Sequence, residues 1–470
     1  MSLYNQRPQD TIDVLKENRL VLFIQPISIK SNYFPKEEGQ FMTQEQYEAL
    51  SLKELKTIAK EKELKGVSAL KKSDLIAALM RQQKEEARKE QENRVMDTDE
   101  TAIGILEVLP DGFGFIRCEN YLPGENDVYV SHSQIRRFHL KTGDLLIGKK
   151  RPQKTTERYS ALVRINSING IDPEIAKKRP NFENLTPIFP NERMHMEANN
   201  SISMRMLDLL APVGKGARGM IVSPPKAGKT TLLKNIALSV QKNNPEMHLI
   251  ILLIDERPEE VTDIKETVTQ KNTEVIYSTF DETPEHHKRV SEMVIERAKR
   301  FVEHGQDVII LLDSITRLAR AYNLTVAPSG RTLSGGLDPA SLHMPKRFFG
   351  AARNMREGGS LTILATALVD TGSKMDDVVY EEFKGTGNME LILSRKMQEH
   401  RIFPAIDIAK SGTRREDLLL NPDELDAVRI IRHSLNSLRN EEATDTLISL
   451  FKRTKNNQEL VNKILTKKAL

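Results

Sequence analysis

The sequence predicts a multidomain protein. A small N-terminal helical unit precedes an OB/cold-shock-like β-barrel, and a C-terminal α/β domain follows. Three observations carry this: apolar residues at helical spacing within 43–83, short turn-bounded strands over 101–167, and long apolar strands alternating with helical segments beyond 201. At 470 residues the chain is long enough for two or three domains.

The elements are justified in order. Residues 1–42 show no clear period and read as a poorly ordered extension. In 43–100, Leu52, Leu55, Ile58 and Ala59 repeat at helical spacing, and Ser73 is placed to cap a second helix carrying Leu75, Ile76, Leu79 and Met80. "RQQKEEARKEQENR" is polar all round and reads as a solvated tail or linker. Over 101–167, "AIGILEVL", "GFGFIR", "DVYVS", "DLLIGKK" and "YSALVRI" are strands split by Pro, Gly, Asn and Asp, a pattern that fits a small five-stranded barrel. Residues 168–200 carry several prolines and read as a connector. In 201–470, "GMIVS", "HLIILLID", "EVIYST", "DVIILLD" and "LTILATAL" are continuous apolar runs suited to a parallel sheet covered on both faces, with helices closing the chain.

Composition narrows the function classes. With 39% hydrophobic and 29% charged residues, the chain fits polar-surfaced globular domains. No apolar run is long enough to span a bilayer, so no membrane partner is expected. The N-terminus lacks a basic segment followed by an apolar one, and the single cysteine, Cys118, excludes an intrachain disulfide framework and a cysteine-cluster metal site. A cytoplasmic protein is the expectation. The net charge of +4 is mild, but "IRRFHLKTGD", "KKRPQKTTER" and "AKKRP" crowd basic groups into 135–180.

"SPPKAGKT" (223–230) follows a strand and opens a helix, the setting of a phosphate-binding P-loop. Gly228 lets the backbone approach phosphate, and amides at the helix start point at the anion. Lys229 is expected to reach the β- and γ-phosphates of ATP, and Thr230 to offer a hydroxyl to Mg²⁺. The generic pattern begins with Gly, where this chain has Ser223. Two acidic strand ends complete the set. Asp313 is the candidate on the Mg²⁺ side, and Glu256 is the candidate that orients and polarises the attacking water.

"DGFGFIR" (111–117) places Phe113 and Phe115 two positions apart in a chain with no Trp. On a strand both point to one face. From the motif alone, core packing and an exposed platform for flat bases are equally open; in the second reading the glycines clear space beside the rings. Arg117 shares the face by the same period and is expected to meet phosphate or a base edge.

Taken together with "VYVSHSQIRRF", "PPKAGKTTLLK", "LLIDERPEEVT", "LLDSITRLARAYN", "PKRFFGAARN", "TGSKMDDVVYEEFKGTGNMEL" and "SGTRRED", these motifs resemble the Rho family of bacterial transcription termination factors from about residue 50 to about 455. The resemblance implies a RecA-like motor, a homohexamer, and an ATP-dependent 5′-to-3′ RNA translocase and helicase that releases RNA from the RNA polymerase elongation complex. It implies nucleotide contacts for Lys226, Ala227, Gly228, Lys229, Thr230, Thr231 and Arg257, and adenine stacking for Phe403. It implies catalytic roles for Glu256 and Lys229, Mg²⁺ for Thr230 and Asp313, and trans-acting arginines at Arg414 and Arg401. For single-stranded, C-rich RNA it implies Phe113, Phe115, Arg117, Tyr129, Arg136, Arg137, Glu157, Arg158 and Tyr159 on the barrel. Arg331 and Lys374, in long central loops, complete the RNA set. Arg331 stands where the family commonly has lysine, which keeps the charge and changes the donor geometry.

Two rivals carry distinguishing observations. A rotary ATPase subunit shares the motor but not the "GFGF" pair or the basic barrel, and RNA stimulation of ATP hydrolysis separates the two. A passive RNA chaperone has no need of an intact Lys229, Thr230, Glu256 and Asp313.

Overall fold

The computed structural model describes residues 44–61, 64, 70–96, 100–153, 157–435 and 439–467, so the extension over 1–42 lies outside the described residues. The chain divides into two units, 1–92 and 93–470.

The first unit is helical: α1 (Gln44–Ala49), α2 (Leu52–Glu61) and α3 (Lys72–Met96). Its core is Tyr47, Leu55, Ala59, Leu75, Ile76 and Leu79, and the Tyr47 hydroxyl donates to Gln83 at 3.0 Å. Two expectations are corrected. Ser73 does not cap α3, which starts one residue earlier, and Leu52 stays exposed at the start of α2. The polar stretch continues α3 rather than breaking it.

The second unit begins with the barrel. Its strands are β1 (Thr101–Val108), β2 (Gly114–Arg117), β3 (Val128–Val130), β4 (Leu145–Arg151) and β5 (Ser160–Ile168), closed in the order β1-β2-β3-β5-β4. A short helix, α4 (His132–Phe138), crosses from β3 to β4 and was not visible in the strand pattern. Leu106, Ile116, Val128, Val130, Leu146 and Ile168 fill the interior.

The larger part is built on a parallel sheet. Its strands are β6 (Arg218–Ser223), β7 (His248–Glu256), β8 (Thr273–Thr279), β9 (Asp307–Asp313), β10 (Ser360–Leu368) and β11 (Met389–Ile392), ordered β8-β7-β9-β10-β6-β11. Helices α5 (Lys229–Asn243), α6 (Pro284–Glu303) and α7 (Lys374–Lys384) are among those that cover it. Burial on both faces explains the continuous apolar runs. Along β7, Leu249, Ile251 and Leu253 enter one core, while Ile250, Leu252 and Ile254 enter the other.

The prolines of 168–200 do not make a free connector. Phe182 and Leu185 are buried in the second of those cores, Met194 and Met196 in the first. Pro187–Ile188 also pairs with Arg353–Met355 at the edge of the large sheet.

The barrel rests on α6 through polar contacts. Arg297 donates to Asn169 at 2.8 Å and Lys141 pairs with Glu303 at 2.9 Å, while on the neighbouring strand β8 the Tyr277 backbone exchanges two hydrogen bonds with Asn120. Gly143 is required here: its φ is +92°, and a Cβ would sit 2.5 Å from the Arg297 amide nitrogen.

One buried arginine ties the C-terminal helices to the base of the sheet domain. Arg205 donates to the carbonyls of Phe451 and Thr454 at 2.9 and 2.8 Å, and to Asn457 at 3.1 Å. Removing it strands these acceptors, so Arg205→Ala is expected to cost at least about 1–3 kcal/mol. Thermal or denaturant unfolding checks this, with Lys452→Ala on the exposed surface as the neutral reference.

Candidate nucleotide site and nucleic-acid interface

The P-loop leaves the end of β6 and enters α5. Lys226 and Gly228 have φ of +65° and +93°, which turns the chain so that α5 starts at Lys229. A Cβ on Gly228 would meet nothing within 4 Å, so glycine is needed for its backbone angle and leaves the approach open.

Lys229 reaches across the sheet edge to both predicted carboxylates. Its Nζ lies 2.8 Å from Glu256 at the end of β7 and 2.6 Å from Asp313 at the end of β9. Burial opposes the ammonium charge, but Asp313 and Glu256 more than compensate and raise the lysine above its ordinary value. Burial and the Asp313 carboxylate push Glu256 up to about 7. Thr366 donates to Asp313 at 2.7 Å and orients it, a partner the sequence reading did not include. Asp255, beside Glu256, pairs instead with Arg317 at 2.9 Å. Thr230 lies 3.3 Å from Glu260. Thr230 and Asp313 present hard oxygen donors, the set that suits Mg²⁺.

Beside the P-loop is a cavity of about 530 Å³ lined by Ala227, Gly228, Thr231, Leu232 and Phe403. Phe403 is 47% exposed and presents its ring to this cavity. Lys226, Arg257 and Thr231 are exposed around the loop. The predicted arginines are placed differently. Arg401 is exposed with φ of +59°. Arg414 lines a separate cleft of about 830 Å³ with Lys410, Glu390 and Asn388. Neither has a hydrogen-bonded or ion-paired side-chain partner among the described residues. The nearby carboxylate of Asp417 is taken by Arg415, at 3.0 Å, and not by Arg414.

On the barrel, Phe113 and Phe115 are absent from the buried core and form an outward ring cluster. Phe115 pairs across the ladder with Tyr129 and meets Tyr159 at 5.0 Å between centroids; Phe113 meets Phe115 at 5.9 Å and Tyr129 at 5.7 Å. Arg136, Arg137 and Arg158 are exposed nearby in sequence, with Arg158 over the Tyr159 ring at 5.4 Å. Glu157 is present but engaged, holding Arg151 through both oxygens at 2.6 and 2.8 Å.

Arg117 corrects an expectation. It shares the face of Phe115, with its guanidinium 5.0 Å from the ring centroid, but it is only 6% exposed. Its charge is held by Asp127 and by Glu107 at 2.7 Å, so it supports the platform from beneath rather than reaching out to phosphate. Glu107 in turn takes Arg289 of α6 at 2.7 Å. The glycines are also corrected. Gly114 faces the barrel interior, where a Cβ would sit 2.7 Å from the Glu107 carbonyl, and Gly112 adopts φ of +86° against His132. The sequence reading missed Asp127. It is buried, and its Oδ1 has no hydrogen-bond partner. A buried orphan acceptor marks a place where a donor is expected.

The two central loops meet each other. Arg331 is exposed in the first, and Lys374 is exposed at the first position of α7 rather than within a loop. Gly335 of the first loop touches the start of α7; a Cβ there would lie 2.5 Å from the Met375 amide nitrogen.

Comparison with known proteins gives three family matches: the Rho termination factor N-terminal domain over residues 46–88, the Rho termination factor RNA-binding domain over 102–174, and the nucleotide-binding domain of the ATP synthase alpha/beta family over 203–413. The chain is 57% identical over 410 residues to transcription termination factor Rho of Pseudomonas aeruginosa, covering 86% of this chain and 95% of that protein. It is 55% identical over 414 residues to its counterpart in Bacillus subtilis, covering 88% and 93%. For the Aquifex aeolicus protein the identity is 51% over 431 residues, covering 91% and 96%.

Proposed function

The chain belongs to the transcription termination factor Rho family, and from that premise we propose that its barrel holds C-rich single-stranded RNA on the Phe113–Phe115–Tyr129–Tyr159 surface while ATP is split beneath the P-loop of a homohexamer. The family activity is that of this chain: an RNA-binding, RNA-dependent ATPase and helicase that terminates transcription. The motor works 5′ to 3′ and releases RNA from the polymerase elongation complex.

The observation that carries the nucleotide reading is the Lys229–Glu256–Asp313 cluster at the mouth of the P-loop. Lys229 binds the β- and γ-phosphates, Phe403 stacks on adenine in the adjoining cavity, and Glu256 takes the proton of the attacking water. Lys226, Ala227, Gly228, Thr231 and Arg257 complete the nucleotide contacts. Thr230 and Asp313 would hold Mg²⁺, which when bound neutralises phosphate charge. Arg414 and Arg401 act on a neighbouring protomer's nucleotide, a reading supported by their exposure without hydrogen-bonded or ion-paired side-chain partners among the described residues. With Glu256 pushed up to about 7, the carboxylate needed to accept a proton is depleted below that pH. The expected profile of kcat/KM for ATP therefore climbs through about pH 7 and levels above it, and Glu256→Gln removes both the activity and this limb. A profile flat from pH 6 to 8 counts against the assignment.

On the barrel, the half-buried rings stack bases without regard to sequence, while Glu157, whose oxygens keep lone pairs beyond those that accept from Arg151, offers acceptors to a cytosine amino group. Arg136, Arg137 and Arg158 meet phosphates. Arg331 and Lys374 grip RNA in the ring's channel. Phe115→Ala is expected to weaken binding of a cytidine oligonucleotide by about 1–3 kcal/mol. The check is fluorescence anisotropy at fixed salt, and unchanged affinity contradicts the platform.

A further inference from the structure

The ring cluster on the barrel does not stop at the four aromatic side chains assigned to RNA above. His132, the first residue of α4, stands 5.8 Å from Phe113 between ring centroids, at an interplanar angle of 54°. That spacing matches the distances within the cluster, from 5.0 to 6.0 Å. Among the described residues its one ring neighbour is Phe113, so it lies at one end of the cluster, with Tyr159 reached through Phe115 at the other. The side chain is exposed.

The imidazole is also fixed in place. Nε2 lies 2.5 Å from the Asp111 carbonyl oxygen, which can only accept, so Nε2 carries the proton. The ring edge seats on Gly112, where a Cβ would come within 3.1 Å of Cδ2. A preorganised exposed ring loses little rotamer freedom when a base stacks on it. A histidine face serves for this as other aromatic faces do.

We propose that His132 is a further base-stacking position, so that the barrel engages one nucleotide more than Phe113, Phe115, Tyr129 and Tyr159 engage alone. The proposal rests on the reading of that surface as the RNA platform. The ligand is a nucleobase of single-stranded RNA, recognised by its flat face.

Three variants of the full-length protein separate stacking from support of the Asp111–Gly112 turn. His132→Phe keeps a ring and loses the hydrogen bond. His132→Gln keeps a donor for the Asp111 carbonyl and loses the ring. His132→Ala loses both. Affinity is measured for a cytidine oligonucleotide series shortened one residue at a time, at fixed pH and salt. Both Ala and Gln are expected to bind the longer oligonucleotides about 5- to 150-fold more weakly, while Phe stays within about twofold of the parent. The deficit should vanish once the oligonucleotide is too short to reach the end of the cluster. A Gln variant that binds like the parent, or a deficit that is the same at every length, assigns His132 to holding the turn and overturns the proposal. If Phe115→Ala weakens binding and none of the three His132 variants does, the added position fails and the platform stands. If Phe115→Ala has no effect either, the platform reading fails and takes the proposal with it.

Discussion

Lys229→Ala is expected to lower RNA-stimulated ATP turnover by at least about 10²–10³-fold, the cost of deleting one preorganised charge at a developing anion. The reason is visible in the site, where one ammonium faces two carboxylates within 3 Å. Without it, phosphate oxygens would meet Glu256 and Asp313 uncompensated. Burial and Asp313 already raise Glu256, and loss of the lysine raises it further, withdrawing the base as well as the phosphate ligand. The RNA platform is built from other strands, so oligonucleotide affinity should stay within about twofold. Steady-state turnover with and without cytidine RNA, beside anisotropy on the same protein, checks both halves. Parent-like turnover refutes the assignment.

Arg414→Ala is expected to lose about 10³–10⁵ in turnover, the range of an arginine that stabilises the γ-phosphoryl transition state. ATP binding should persist, because the P-loop and the Phe403 cavity are untouched. The sharper test mixes this variant with Lys229→Ala before assembly. In a mixed ring, an intact P-loop from the Arg414→Ala chain can face an intact Arg414 from the Lys229→Ala chain. Two inactive proteins should then recover part of the activity. If the arginine served its own chain's nucleotide, mixing would restore nothing.

Much of the nucleotide site was legible in the sequence because its chemistry is local. The P-loop is one contiguous turn, and Glu256 and Asp313 terminate apolar runs whose length marks buried parallel strands. The sequence did not disclose strand order, which depends on pairings far apart in the chain, or the strand Met389–Ile392, only four residues long. The ring surface of the barrel was half legible. Period 2 correctly placed Arg117 on the Phe115 face, but depth is not periodic. Its partners Glu107 and Asp127 each lie ten positions away and become neighbours only when β2 pairs with β1 and β3. For Gly114 the residue type was informative and the stated cause was wrong, since the crowding comes from the barrel interior. The family resemblance supplied Arg414, Arg401 and Phe403, which no local pattern singles out.

Gly335 deserves a last consequence. A side chain there would collide with the peptide at Met375, so the segment bearing Arg331 and the helix bearing Lys374 meet backbone to backbone at this glycine. In the proposed motor, a shift of either cation along the cargo strand therefore has one place at which it is felt by the other.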